Sequence, residues 1–231
     1  AYTLYKTYNQ RGDLLTETNP LGDQASYSYN DHGKLKTRKN FSNRLLETFA
    51  YDKKRRLIQQ ETFAQESGVY HTTSYDYDLQ DQLIEKIDYL DNATTYAYDP
   101  ITHNIKATQF PSILSFENEE LPVITSTTYT PLGFPLTQTD ANGNTTSYTT
   151  NAYGSPLQIT YPNGSIKTYT YTTHNLLKTY TDPDGLTIAY TYDSLDRLLT
   201  KTYLSSTGTP LTQETFTYKG FNCLTQTNKE G

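Results

Sequence analysis

The chain has 231 residues, a formal net charge of −6, and 23 Tyr and 8 Phe but no Trp or Met. The charges are scattered without a basic patch or stripe, which argues against nucleic acid or an anionic membrane surface as a partner. No apolar run approaches the roughly 18 residues that a membrane helix needs. The apolar fraction of 34% is below the usual value of about 45–50%. Tyr and Thr nevertheless favour strands, and Tyr carries a large buriable ring with a polar tip. The one cysteine, Cys223, cannot form an internal disulfide, which leaves export open. A chain without an initiator Met is expected to be a fragment or a processed segment.

In chain order, one unit recurs. With its first aromatic taken as position zero, the unit starts at Lys6, Tyr27, Phe49, Tyr75, Tyr96, Thr127, Tyr148, Tyr169, Tyr190 and Phe216. The spacings are 21, 22, 26, 21, 31, 21, 21, 21 and 26. Such a period is the mark of a repeat architecture. Residues 1–231 therefore read as a single repeat array. Position +2 is Tyr in nine of ten units, with Thr150 the exception. Two aromatics around one small or polar residue have the period of a strand with one apolar face.

Position +3 is Asp or Asn in seven units. Position +6 is Gly or Asp/Asn in eight, including Gly33, Asp81, Asn175, Asp196 and Asn222. This is hairpin-turn chemistry, in which a capping side chain precedes a residue tolerant of positive φ. A second strand begins at +8, as at Leu35, Leu83, Leu177 and Leu198. A second turn follows near +16, at Asn19-Pro20-Leu21-Gly22 and at the turns ending in Gly143, Gly164 and Gly185. Each unit thus predicts two strands and two turns. Ten units predict an all-β chain of about twenty strands in a long antiparallel, twisted and coiling sheet, a segment of a hollow shell or barrel. A flat sheet of that size is disfavoured.

Three insertions break the rhythm at the second turn, near Ala64–His71, at residues 110–122, and near Ser205–Pro210, and are expected to be extended hairpins or loops on one rim. The longest, 110–122, is expected to be an inserted loop with room for one helical turn after Ser115. Its Ile113, Leu114 and Phe116 are expected to pack onto the sheet.

The stretch Tyr190-Thr191-Tyr192-Asp193-Ser194-Leu195-Asp196-Arg197-Leu198 resembles the Tyr-x-Tyr-Asp-x-x-Gly-Arg-Leu pattern of the YD-repeat or Rhs family. Tyr27 to Leu35 differs by Asn30 for Asp and Lys34 for Arg. The resemblance extends over essentially the whole chain. It implies a β-strip that spirals into a hollow shell, as in bacterial Rhs proteins, Tc-toxin shell components, wall-associated toxins and teneurins. In the bacterial toxins that shell sequesters a C-terminal toxin. The family's Arg-, Tyr- and Asp-Pro-rich autoprotease segment is not found here. Asp182-Pro183-Asp184-Gly185-Leu186 reads as a turn, because another repeat follows directly.

No catalytic, cofactor-binding or metal-binding residue is assigned from the sequence. His32, His71, His103 and His174 have no ligand spacing and read as solvated turn residues, with His71 in an inserted loop. One Asp or Asn per unit is too sparse for a calcium loop. No Gly-x-Ser-x-Gly nucleophile motif occurs, and Cys223 is expected to be a small buried apolar residue. The weight falls on structural positions: Tyr27, Tyr29, Tyr75, Tyr77, Tyr96, Tyr98, Tyr169, Tyr171, Tyr190 and Tyr192, expected to form cross-strand ladders, the +8 leucines, and Gly22, Gly33, Gly143, Gly164 and Gly185.

The expected function is structural: part of a shell enclosing a polymorphic toxin or similar cargo, not an enzyme, with the cargo domain and neighbouring repeats of the full-length protein as partners. The resemblance implies a secreted or cell-surface location in bacteria. An exported adhesion module that recognises glycans or a protein is the alternative.

Overall fold

The computed structural model describes residues 3–220 and 222–230, and no helix occurs among them. No helix is therefore long and apolar enough to cross a membrane. The strands belong to one antiparallel sheet and fall into two compact units. The first unit, Ala1–Ala97 with Thr108–Val123, holds β1 (Tyr5–Tyr8), β2 (Leu14–Thr18), β3 (Gln24–Tyr29), β4 (Leu35–Lys39), β5 (Leu45–Tyr51), β6 (Leu57–Phe63), β7 (Tyr70–Tyr77), β8 (Leu83–Ile87) and most of β9 (Ala93–Tyr98). It also holds the distal part of the hairpin formed by β10 (Ile105–Leu114) and β11 (Glu120–Tyr129). The second unit, Tyr98–Ala107 with Ile124–Gly231, holds the base of that hairpin. It continues with β12 (Pro135–Thr139), β13 (Thr145–Thr150), β14 (Pro156–Thr160), β15 (Ile166–Tyr171), β16 (Leu177–Thr181), β17 (Thr187–Tyr192), β18 (Leu198–Leu204), β19 (Pro210–Lys219) and β20 (Asn222–Glu230).

Each hairpin turn carries one residue at positive φ. Eleven of these residues are glycines, such as Gly33 (76°) and Gly164 (81°), and eight are not. The turn is closed by two backbone bonds. In the first, Asn9 N–H donates to the Asp13 carbonyl at 2.9 Å and Gly12 N–H to the Asn9 carbonyl at 3.1 Å. This is a type I turn followed by a left-handed residue, a common three-residue hairpin connection. The Asn9 side chain accepts from the N–H groups of Arg11 and Asp13 at 2.8 and 2.9 Å, so a +3 Asp or Asn caps its own turn. Non-glycine residues take the strained place at Arg55 (69°), Asp81 (66°), His103 (57°) and Asp196 (61°).

The ladders alternate in kind. Within a repeat, β1 and β2 pair Tyr5 with Thr18, Lys6 with Glu17, Thr7 with Thr16 and Tyr8 with Leu14, with a bulge between the last two pairs. The same bulge precedes the +2 residue at Tyr29, Tyr51, Tyr77, Tyr129, Thr150, Tyr171, Tyr192 and Tyr218. An extra residue on the second strand bends it and re-aims the side chain opposite. Between repeats the ladder stops short of the first turn. Strands β2 and β3 pair only Thr16 with Ser26, Glu17 with Ala25 and Thr18 with Gln24. Beyond Thr16 the two strands are no longer paired on the first-turn side.

Several expectations are corrected. Residues 110–122 are not an inserted loop. They are the distal part of the β10–β11 hairpin, turned by Ser115–Asn118 with Asn118 at φ 61°. No helical turn forms, and Ile113, Leu114 and Phe116 are 58%, 67% and 106% exposed instead of packed. Alternating apolar and β-branched residues extend the strand pair more readily than they fold back. His71 lies in β7, where its ring stacks on Tyr89 at 3.8 Å. Asn222 is not a turn residue; it pairs with Lys219, and Gly220 takes the positive φ of 59°. Cys223 is exposed, because β20 pairs only with β19 among the described strands. Tyr rings do not assemble a closed core either. Ala25, 5% exposed, is the one buried apolar residue among those described, as expected of a single sheet layer with no second layer packed on it.

Candidate functional site

The feature that recurs is a joint between consecutive repeats, built on the first-turn rim. At the end of β3 the Tyr29 ring spans the opening left by the short β2–β3 ladder, and its hydroxyl donates to the Leu14 carbonyl at 2.9 Å. The same bond recurs from Tyr51 to Leu35 (2.9 Å), Tyr77 to Leu57 (2.9 Å), Tyr129 to Ile105 (2.7 Å), Tyr171 to Pro156 (2.9 Å), Tyr192 to Leu177 (2.8 Å) and Tyr218 to Leu198 (2.8 Å). Each acceptor opens the second strand of the preceding repeat, where the inter-repeat ladder has ended. The phenol thus supplies a donor to a carbonyl that no strand partner reaches. Burial pushes the hydroxyls of Tyr29, Tyr51, Tyr77, Tyr171 and Tyr192 above the usual phenol value, which keeps the donor protonated.

This replaces the expected tyrosine ladder. Equivalent +2 rings lie two strands apart, about 10 Å, too far to stack. The only Tyr–Tyr ring contact among the described residues is Tyr169 with Tyr180, which are cross-strand partners. Of the other position-zero tyrosines, Tyr27 donates to Glu17 at 3.1 Å, Tyr75 faces Lys86, Tyr190 faces Lys201 and Tyr148 faces Ile159. Tyr96 lies in β9. On the opposite face the +1 residues pair by hydroxyls, as in Thr7–Thr16 (2.6 Å), Thr170–Thr179 (2.6 Å) and Thr191–Thr200 (2.7 Å).

Sequence reasoning missed the role of +7. Arg197 grips the Asp193 carboxylate of its own turn with Nε at 2.7 Å and Nη2 at 2.6 Å. Its Nη1 donates to the Gly220 carbonyl of the next turn, and the guanidinium lies 4.7 Å from the Tyr218 ring centre. Arg56 repeats the arrangement, gripping Asp52, donating to the Asp78 carbonyl at 3.1 Å and lying 4.7 Å from the Tyr77 ring. A planar five-donor fork can make all three contacts together, and an ammonium cannot. The recurrence of Arg in Arg56-Leu57 and Arg197-Leu198 was the available signal. Elsewhere other groups join adjacent turns: Arg11 to the Asp31 carbonyl (3.0 Å), Asn104 to the Gly133 carbonyl (3.1 Å), Asn151 to Asn175 (2.7 Å) and His174 to Asp196 (2.8 Å).

The turns hold their charges in hydrogen-bonded pairs. The Arg197 side chain holds Asp193 below the usual carboxylate range, and Asn92 and Asn144 do the same for Asp88 and Asp140. Among the described residues no group of three or more His, Cys, Asp and Glu is arranged to hold a metal ion. The hollows are open surface depressions, such as one of about 390 Å³ lined by Asn92, Phe110, Pro111 and Glu120.

Residues 171–210, which run from one joint tyrosine through the next turn pair, match the family model described as RHS Repeat. That stretch is similar to an RHS repeat. No curated protein matches the chain. The fold of the chain is similar to that in the solved structure titled TcdB2-TccC3-TEV, at 15% identity and a TM-score of 0.73, over 98% of this chain and 12% of that one. It is also similar to those titled TcdB2-TccC3-Cdc42 and TcdB2-TccC3, each at 15% identity and a TM-score of 0.57, over 98% of this chain and 15% of the other. The chain thus spans 12–15% of the length of these chains.

Proposed function

We propose that the array is a segment of the wall of a hollow β-shell, which encloses a toxin or similar cargo belonging to the same full-length, exported protein. The observation that carries this reading is the joint. Seven joints are closed by the next repeat's +2 tyrosine, and two of these add an arginine fork, so a repeat functions as one member of a longer strip. Strand β1 pairs with β2 alone and β20 with β19 alone among the described strands. These unpaired edges suit further repeats, which would take up their free N–H and C=O groups. The likeness in fold to the TcdB2-TccC3 structures supports the same reading. The wall's contribution is physical: a continuous hydrogen-bonded sheet keeps proteases and solvent from what lies behind it. The residues proposed to carry it are the +2 tyrosines, the +8 leucines and the turn glycines.

Limited proteolysis of the full-length protein tests this. The cargo segment is expected to survive protease until the shell is unfolded, and electron microscopy is expected to show density inside a hollow body. Cargo cleaved as fast as the isolated cargo domain would overturn the reading. Exposed aromatics such as Tyr153 (72%) and Tyr5 (68%) favour the adhesion module as the second reading. Saturable binding on a glycan array, lost on Tyr153→Ala, would support that instead.

A further inference from the structure

One inter-repeat joint departs from the rest. Between β12 and β13 the +2 tyrosine is replaced by Thr150, and the +7 position holds Phe134. The backbone ladder is no different from its neighbours: Thr137 with Ser147, Gln138 with Thr146 and Thr139 with Thr145. The β16–β17 ladder has the same three-pair form, Thr179 with Ala189, Tyr180 with Ile188 and Thr181 with Thr187. The difference lies beyond the ladder. At β16–β17 the Tyr192 hydroxyl reaches the Leu177 carbonyl. At β12–β13 the corresponding carbonyl is that of Pro135, and a threonine is too short to span the opening. The Phe134 ring lies instead against the next first turn, so close to Gly154 that a Cβ built there would sit 2.3 Å from the ring. Two other contacts cross the joint, Tyr148 to Gln138 at 2.6 Å and Thr139 to Thr145 at 2.9 Å. Both are exposed; the first links Tyr148, one residue beyond the last pair, to a side chain inside the ladder, and the second lies at the second-turn end, so neither reaches the Pro135 carbonyl.

We propose that the β12–β13 joint is a built-in parting line, where this strip opens ahead of its tyrosine-closed joints. A wholly apolar closure lacks a directional bond at the strand end, so the pair frays from that end inward. Neighbouring carbonyls held by phenols do not have that freedom. Local opening of this kind is read by amide exchange, and one lost hydrogen bond corresponds to about a fivefold to tenfold change in the opening equilibrium.

Hydrogen exchange followed by mass spectrometry on the full-length protein tests the proposal. Amides in 135–139 and 145–150 are expected to exchange about fivefold or more faster than those in 177–181 and 187–192. The graft Phe134→Arg with Thr150→Tyr is expected to slow the β12–β13 amides to the β16–β17 level. If the graft fails to fold, Tyr192→Phe in the native background gives the converse reading: the β16–β17 amides should quicken to the β12–β13 level. Equal exchange at the two joints in the native chain would overturn the proposal, as would no response to Tyr192→Phe. Neither measurement reads cargo protection, so the result stands apart from the shell reading.

Discussion

A phenol at a strand end does two jobs that are separable by substitution. Its ring covers the opening between two repeats, and its hydroxyl holds a carbonyl that would otherwise lack a protein donor. Tyr192→Phe keeps the first and removes the second, so it is expected to destabilise by about 1 kcal/mol. Tyr192→Ala removes both and is expected to cost about 2–3 kcal/mol; urea denaturation of the two variants checks the ordering. Turn residues allow a similar separation. Gly143 (φ 81°) has open space where a Cβ would go, whereas a Cβ at Gly154 (φ 83°) would collide with Phe134. Both Ala variants pay for a left-handed backbone, about 1 kcal/mol. Gly154→Ala is expected to lose at least about 1 kcal/mol more from the collision, seen as a lower melting temperature than for Gly143→Ala. Arg55 at φ 69° runs the other way: Arg55→Gly is expected to be neutral or to stabilise by up to about 1 kcal/mol.

At the scale of the strand pair, the +1 column shows what the sheet prefers. Threonine pairs bond across the hairpin in several repeats, but in β7–β8 the equivalent residues are Asp76 and Glu85. Like charges directly opposite on one face disfavour pairing by a few tenths to about 1 kcal/mol. Glu85→Thr is therefore expected to stabilise at neutral pH, with the gain shrinking in molar salt as screening removes the repulsion. Thermal melts at two salt concentrations distinguish this from a general β-propensity effect. The hairpins themselves were legible in the sequence, because period-two aromatics and Asp/Asn–Gly turns are local signals. The partners were less so. That Tyr29 bonds Leu14 follows from where a ladder stops, which depends on pairing between repeats, not on spacing within one. Arg197 was visible in the motif, but its fork onto Asp193, Gly220 and Tyr218 needs two turns placed side by side. The 110–122 stretch was misread for a related reason: an insertion at a turn can become a loop or longer strands, and the sequence alone weighed the loop too heavily.

At the scale of the whole molecule, stability is spread over many shallow contacts, since Ala25 alone is buried among the described residues. The pH response should accordingly be set by the repeated polar groups. Asp88, Asp140 and Asp193 are held below the carboxylate value of 3.8 by side-chain donors from Asn92, Asn144 and Arg197. Their stabilising contribution is present above that value and is lost as pH falls below it, through their lowered values. The joint tyrosines are raised above 10.0 by burial; theirs is present up to pH 10 and is lost as pH rises through the raised values. His174, raised above 6.5 mainly by its bond to Asp196, adds a small exposed contribution that fades above neutrality. A plateau of stability from about pH 4 to 10 is expected from circular dichroism, with its alkaline edge tracking tyrosinate absorbance. A sheet that unfolds at mildly acidic pH, well above the aspartate range, would contradict this assignment.

The hydroxyl-to-carbonyl bond joins each repeat to its predecessor through two groups that recur in nearly every copy, a tyrosine and a main-chain carbonyl. One copy can therefore stand in for another. Excision of Thr170 to Tyr190, which is 21 residues, would leave Tyr169 followed by Thr191-Tyr192-Asp193. Tyr192 would then face the Pro156 carbonyl in place of Tyr171. Such a shortened chain is expected to fold, whereas removal of ten residues would reverse one strand's direction and leave a turn without its partner. Genetic duplication or loss of whole repeats can thus change the length of the strip without a new joint having to be invented. The unit of inheritance here is the interval between two tyrosines.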